Sequence, residues 1–403
     1  MWKLALRNVL RQKARTGMTL LAIVAGVIGL VLSGGFVHDI FILLGETLIH
    51  SQSGHLQLSP TGYFEHGARS PDKYVIADPK PLQKAILAMP EVDDVMGRLY
   101  FTGLLNNGRS DLPIVGEGIE PSRETRLGSG ITITAGRNLV NQDSYSMILG
   151  QGLAHTLKFK PGDQATLVLN TAEGAVNSLD FQVAGVFQTF SRDYDARAIR
   201  IPLGAAQELL ATSGVNTVVV SLKHTRDTEP VAAALAGKYR SAGLEVKTWL
   251  ELNDFYAKTV KMYDVQFGVL RIIILLMVLL SVVNSVNMSV FERVGEFGTM
   301  MALGNRSRSV FTLIMIENTL IGLTGAAAGV VLGIVLALII SAIGISMPPP
   351  PNSDLSFVAH IRIVPSVIAG AFAVGLIATV IAALLPASRV QRIPVVDALR
   401  QNV

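Results

Sequence analysis

The chain has 403 residues, half of them hydrophobic and only 16% charged, with a mean hydropathy of +0.46. Soluble proteins carry roughly 25% charged residues, so this composition excludes an ordinary cytosolic enzyme, a disordered chain and a nucleic-acid binder. The pI near 9.2 comes with a net charge of only +4, and cysteine is absent, which removes disulfides, cysteine–zinc sites and cysteine nucleophiles.

Residues 1–17 hold Lys3, Arg7, Arg11, Lys13 and Arg15 and no acid. Trp2, Leu6, Val9 and Leu10 recur at i, i+4, i+7 and i+8. This pattern predicts an amphipathic helix over 2–15 lying at the inner membrane surface, where Lys3, Arg7 and Arg11 meet anionic lipid. The apolar run that follows exceeds the 7–15 residues of a secretory signal, so it is expected to be an uncleaved first span.

Four charge-free stretches follow: Thr16–Val37, Ile272–Phe291, Asn318–Ser353 and Ile363–Ser388. A bilayer core of about 30 Å needs roughly 20 apolar helical residues. The stretches therefore predict four transmembrane helices over 18–42, 265–290, 309–345 and 362–386. Between them lie a large segment 43–264, a short connection 291–308 and a loop 346–361, with a tail 387–403 at the end. Residues 43–263 carry 21 Lys/Arg against 23 Asp/Glu, whereas the flanks 1–17, 291–308 and 387–403 are basic. Positive segments stay in the cytoplasm. Both termini and 291–308 are thus expected inside, with 43–264 and 346–361 outside. The fold class expected is a four-helix multi-pass membrane protein with a large extracytoplasmic α+β domain between helices 1 and 2.

Within that domain, His55–Ser59 alternates as a strand and Pro81–Met89 as a short amphipathic helix. Val95–Leu105 and Asp111–Gly118 read as strands around Asn106-Asn107-Gly108. Gly150–Phe159 reads as a helix, Gly162–Leu169 and Asp180–Val186 as strands, and Pro202–Leu210 as a helix. Thr217–Lys223, Glu229–Ser241 and Leu244–Thr248 complete a strand–helix–strand. The order predicts a small α/β lobe interrupted by a second lobe at about 125–212. Asp39–His50 and Trp249–Tyr263 extend spans one and two without a Gly/Ser/Pro linker, which predicts unbroken helical rods.

No G-x-x-x-x-G-K-[ST], H-E-x-x-H or G-x-S-x-G occurs. The chain is therefore expected to bind no nucleotide itself, to be no enzyme, and to hold no metal. His50 and His55 are the closest histidine pair and are read as solvated surface groups. Gly26, Gly29, Gly34 and Gly35 suit close helix packing, within one chain or between two. Glu317 is the one clear acid inside a span, and pairing with a nearby basic group is preferred to proton coupling.

The connection Glu292-Arg293-Val294-Gly295-Glu296-Phe297-Gly298-Thr299-Met300-Met301-Ala302-Leu303-Gly304-Asn305-Arg306 is helical by pattern, with Gly304 as its stop. Phe297, Met300, Met301 and Gly304 fall on one face, which predicts an apolar surface outside the membrane. Lipid headgroups and a protein partner fit that face equally well.

This run, with Arg308 and Glu317-Asn318, resembles the signature of ABC-transporter permeases of the MacB/FtsX/LolE type. The opening Ala5-Leu6-Arg7-Asn8-Val9-Leu10-Arg11 and the closing Ala387-Ser388-Arg389 through Pro394-Val395-Val396-Asp397-Ala398-Leu399-Arg400 resemble the same family. Gly54-His55-Leu56-Gln57-Leu58 and Val186-Phe187-Gln188-Thr189 are most similar to the lipoprotein-release (Lol) permeases. The resemblance implies a cytoplasmic ATPase dimer as partner, with ATP and Mg bound there, and a second permease copy or a related permease. It also implies a split "porter" lobe with an inserted "sabre" lobe, and location in a bacterial inner membrane. It assigns ATPase coupling to Glu292, Arg293, Glu296, Phe297, Met300, Met301, Leu303, Gly304 and Arg306, with Glu317 in support. The function expected is ATP-driven, mechanically transmitted export or release of a lipoprotein, lipid or amphiphile, with a periplasmic carrier or adaptor as a further partner. The rival readings are a regulatory module acting on a cell-wall hydrolase or sensing a peptide, and a stand-alone secondary transporter.

Overall fold

The computed structural model describes residues 2–11, 13–67, 71–127, 131–171, 174–189, 191–347 and 357–390. Most of the tail 387–403, with the family-like Pro394–Arg400, and most of the loop 346–361 lie outside these residues. The chain opens with α1 (Trp2–Arg11) and α2 (Lys13–Leu48), and a π-helical turn over Ile49–Ser53 follows. Next come β1 (Leu56–Pro60), α3 (Tyr63–His66), α4 (Lys80–Leu87), β2 (Val92–Asn106), β3 (Asp111–Ile119), α5 (Pro121–Leu127), β4 (Thr132–Gly136), β5 (Ser146–Gly150) and α6 (Gln151–Leu157). The second stretch is β6 (Gln164–Asn170), β7 (Val176–Gln188), α7 (Arg192–Asp195), β8 (Ala198–Pro202), α8 (Leu203–Leu210), β9 (Thr217–Leu222), α9 (Thr228–Tyr239), β10 (Leu244–Thr248) and α10 (Trp249–Leu252). The long helices α11 (Asp254–Glu292), α13 (Ser307–Ile343) and α14 (Pro365–Val390) follow, with the short α12 (Val294–Ala302) between the first two. These elements form two compact units.

One unit holds residues Met1–Ile42, Thr259–Met347 and Val358–Val403. Among the described residues, four helices, α2, α11, α13 and α14, are long and apolar enough to cross a membrane. Their shared core is Ile23, Val27 and Val31 of α2, Val282 and Val286 of α11, Ala326 of α13 and Ala378 and Ala382 of α14. Glycine sets the spacing. A Cβ on Gly329 would stand 2.8 Å from Val27 Cβ, and one on Gly26 would stand 2.5 Å from Val278 Cγ2. Gly325 and Gly333 meet Ile23 and Val31 in the same way. Small residues let helix backbones approach where no water drives association. The glycines of span one thus serve contacts within the chain.

The other unit holds Leu43–Lys258. Strands β10, β1, β9 and the first part of β2 form an antiparallel sheet. Helices α4 and α9 cover it through Leu82, Ile86, Val231 and Leu235. Strands β2, β3, β8, β5, β7 and β6 pair in a closed ring, with β4 added on β7. Their interior holds Phe101, Met147, Leu149, Leu167, Phe181 and Ile199. Strand β2 serves both sheets: Arg98 is its last residue opposite β9, and Leu99 its first opposite β3. At 15 residues it exceeds what one small lobe needs. The second sheet therefore takes in β3 and half of β2, ahead of residue 125.

One rod differs from expectation. The helix at Trp249 does not run on into α11. Thr248 and Glu251 form a capping box that starts α10. Asn253 then leaves helical geometry (φ −116°, ψ 67°), and its side chain donates to the Trp249 carbonyl at 2.7 Å. The helix expected over 2–15 is helical throughout its described residues, Trp2–Arg11 and from Lys13 on.

Candidate functional site

Helix α12 forms because Val294–Ala302 has no proline or β-branched run, and Gly304 at φ +95° ends it. Its apolar side does not face outward. Phe297 is 1% exposed inside the core, and Met300 and Met301 pack against that core. This corrects the expectation of an open Phe297–Met301–Gly304 face. Burying an aromatic ring gains more than leaving it beside water. Glu296, Thr299 and Ala302 are exposed along α12, as is the stretch just after it, Leu303–Arg306, where Leu303 is 81% exposed. Glu292 is exposed at the other end.

Arg293, at the N-cap position of α12, is buried and gathers the site. Its Nη1 donates to Glu317 Oε2 at 2.7 Å, its Nη2 to Glu317 Oε1 at 3.2 Å, and its Nε to Glu296 Oε2 at 3.1 Å. The guanidinium also lies 5.0 Å from the Phe297 ring centroid. Helix α1 joins from the other side: Arg11 Nη2 donates to Glu296 Oε1 at 2.6 Å, and Asn8 Nδ2 to Glu317 Oε1 at 2.6 Å. Residues from α1, α12, α13 and the α11–α12 junction thus share two carboxylates. Burial works against the Arg293 charge, yet hydrogen bonds and charge from Glu317 and Glu296 hold its pKa above the ordinary value. Burial likewise opposes ionisation of Glu296, and Arg293 and Arg11 outweigh it, so this carboxyl sits below its ordinary value.

A cavity of about 40 Å³ lies beside the pair, lined in part by Thr16, Thr19, Ser285, Ser289 and Asn318. Its polar lining has room for about one water.

Lys3 and Arg7 are exposed together with Trp2, Leu6 and Leu10. Arg11 is exposed as well and pairs with Glu296. Sequence reasoning foresaw a basic partner for Glu317 without naming it, and missed Asn8 altogether. The adjacency of Arg293 to a helix start was the available signal.

His55 is not a solvated surface group, and His50 is half-buried. His55 is 2% exposed, accepts from the Leu222 N–H at 3.1 Å, and lies 3.2 Å from Thr225 Oγ1. That hydroxyl donates to Glu46 Oε1 at 2.8 Å, and His50 Nε2 lies 3.3 Å from Glu46 Oε2. Burial and the neighbouring His50 lower the His55 pKa to about 4. Among the described residues, no group of three or more His, Asp or Glu side chains is placed to hold a metal ion.

Comparison with known proteins matches residues 16–238 to the model of the MacB-like periplasmic core domain and residues 268–395 to that of the FtsX-like permease C-terminal region. The chain is 25% identical to an uncharacterized ABC transporter permease of Methanocaldococcus jannaschii, over 85% of each chain. It is 26% identical to the lipoprotein-releasing system transmembrane protein LolC of Xylella fastidiosa, over 73% of this chain and 75% of that one. It is 25% identical to the macrolide export ATP-binding/permease protein MacB of Hyphomonas neptunium, over 54% of this chain and 33% of that one. The first of the two models covers more than half of the 403 residues, and with four apolar helices the chain belongs to the ABC-transporter permeases of the MacB/FtsX/Lol type.

Proposed function

We propose that this permease couples ATP hydrolysis on a separate ATPase dimer to movement of its outer domain, and so exports or releases a hydrophobic substrate from the inner membrane. The observation that carries this reading is the Arg293–Glu317–Glu296 cluster. It fastens α12 to α13 and α1, so a push on the exposed Leu303–Arg306 end is borne by two helices at once. The basic flanks put both termini and α12 in the cytoplasm and residues 43–264 outside, between the first two spans. Helix α2 carries the stroke outward as one helix of 36 residues. The α10–α11 break at Asn253 acts as a hinge on the second rod. The spans are poor in charge, which suits a pump that moves its outer lobes rather than an ion path. Relatives named for lipoprotein release and for macrolide export point to a lipoprotein, lipid or amphiphile as cargo. A second copy or a related permease completes the transporter, and a periplasmic carrier receives the cargo.

The test is co-purification in mild detergent followed by reconstitution. A Walker-motif ATPase should co-purify, and Glu296→Ala and Leu303→Asp should lower transport per ATP hydrolysed while membrane insertion is unchanged. Full coupling in both variants, or a 43–264 segment reached by labels only from the cytosolic side, overturns the reading.

A further inference from the structure

The outer unit buries four charged side chains in one cluster, and the elements that contribute them come from both sheets. Arg98 is fully buried on β2, at the residue where that strand changes partner from β9 to β3. Arg200 is 2% exposed on β8, directly opposite Glu117 of β3. Arg98 forms a two-pronged pair with Glu124 of α5, with Nη2 2.9 Å from Oε2. Arg200 Nε lies 2.9 Å from Glu117 Oε2, its Nη1 lies 3.9 Å from Glu124 Oε2, and Tyr194 donates to Glu117 Oε1 at 2.7 Å.

Burying ion pairs is a poor way to gain stability, because desolvation cancels most of the attraction. Four such charges in one place call for another use, and the remaining donors show it. Arg98 Nη1 donates to the main-chain carbonyl of Gln52, and Arg200 Nη2 donates to that of Ser51 at 2.9 Å. Both carbonyls belong to the π-helical turn Ile49–Ser53, which continues α2 directly. A π-turn departs from the i→i−4 ladder. Gly54 closes it at φ +63°, where a Cβ would meet Val219 Cγ1 at 2.4 Å. The turn is thus held by two guanidinium groups, one on the strand shared by both sheets and one on β8, on the face of the closed ring opposite Ile199 and Ile201.

We infer that Arg98 and Arg200 are positioning residues that clamp the turn at the end of α2, so that this helix end and both sheets of the outer unit move as one body. The inference deepens the proposed mechanical coupling, and its functional consequence rests on that reading. The carboxylates Glu117 and Glu124 aim the two guanidinium groups. Lysine, a point charge on a flexible stem, lacks the rigid planar fork with which arginine spans a carboxylate and a carbonyl.

The chain has no cysteine, so introduced pairs can be spin-labelled without background. Three pairs in the full-length protein in lipid nanodiscs report on the clamp: Leu43→Cys with Arg109→Cys, Leu43→Cys with Lys238→Cys, and Arg109→Cys with Lys238→Cys. Each is measured with the native cluster, with Arg98→Lys plus Arg200→Lys, and with Arg98→Met, Glu117→Leu, Glu124→Leu and Arg200→Met combined. The combined variant leaves no charge unpaired and keeps the fold measurable. The expected result is a narrow distance distribution for all pairs with the native cluster. In both variants the two Leu43 pairs lose that narrow distribution and the Arg109–Lys238 pair keeps it. Unchanged Leu43 pairs overturn the clamp, and broadening of all three pairs reduces the cluster to a structural one. No nucleotide is added, so the outcome is independent of the ATPase reading. Separately, transport lost in the combined variant with ATPase binding intact ties the clamp to coupling, and transport retained there severs the two.

Discussion

Arg293 and Glu317 face each other across 24 residues of chain, both buried, with Nη1 2.7 Å from Oε2 and a second bond at 3.2 Å. This pair holds the junction of α11 and α12 against α13. Removing one partner of a buried pair leaves an uncompensated charge and costs about 3–5 kcal/mol. Arg293→Leu and Glu317→Leu are each expected to destabilise the protein by about that much, and the combined variant by less than their sum. Thermal unfolding in detergent, arranged as a double-mutant cycle, checks this.

The Arg11–Glu296 contact is exposed on both sides. Exposed pairs contribute about 0–1 kcal/mol and weaken with salt. Arg11→Ala should therefore leave the unfolding midpoint nearly unchanged. Because the Glu296 carboxyl titrates below its ordinary value, its contribution is present above that ordinary value and fades as pH falls through the lowered one. A large loss of stability in Arg11→Ala at neutral pH contradicts this account.

His55 predicts the opposite end of the acid range. Its pKa is lowered to about 4 from 6.5, so the unfolded chain binds the proton first as pH drops. Stability from neutral His55 is complete above pH 6.5, declines between 6.5 and 4 and is lost below 4, for a total of about 3 kcal/mol. A pH series of unfolding midpoints should show this decline in the native protein, and a flatter curve in His55→Gln.

The helix packing predicts a contrast between glycines. At Gly370 an added Cβ meets nothing within 4 Å, whereas at Gly329 it meets Val27. Gly370→Ala should stabilise slightly, by about 0.5–1 kcal/mol, through the loss of backbone freedom. Gly329→Ala should destabilise, because α2 must move away. Equal effects at the two positions would remove the close α2–α13 approach from the explanation.

Much of this architecture is legible in the residues. Charge-free runs define the long helices because lipid and core both demand them, and alternation finds β1, β3, β7, β9 and β10. Strands β5 and β8 are missed: Ser146–Gly150 is buried along almost its whole length and shows no alternation, and in Ala198–Pro202 the one charged residue, Arg200, is buried too. The elbow shows a different limit. Helical spacing correctly groups Phe297, Met300 and Met301, but period alone does not say whether a face turns inward or outward. Partners far apart in sequence, such as Asn8 with Glu317 or Arg98 with Gln52, leave no local trace at all.

Strand β2 closes one sheet with its first half and another with its second. The two lobes therefore cannot be traded as cassettes between relatives at a loop boundary. A chimaera joined at a loop outside β2 carries a whole strand from one parent, so one half of it meets a sheet from the other parent and Arg98 faces a foreign backbone. Exchanging either lobe alone therefore means rebuilding the seam that the two share.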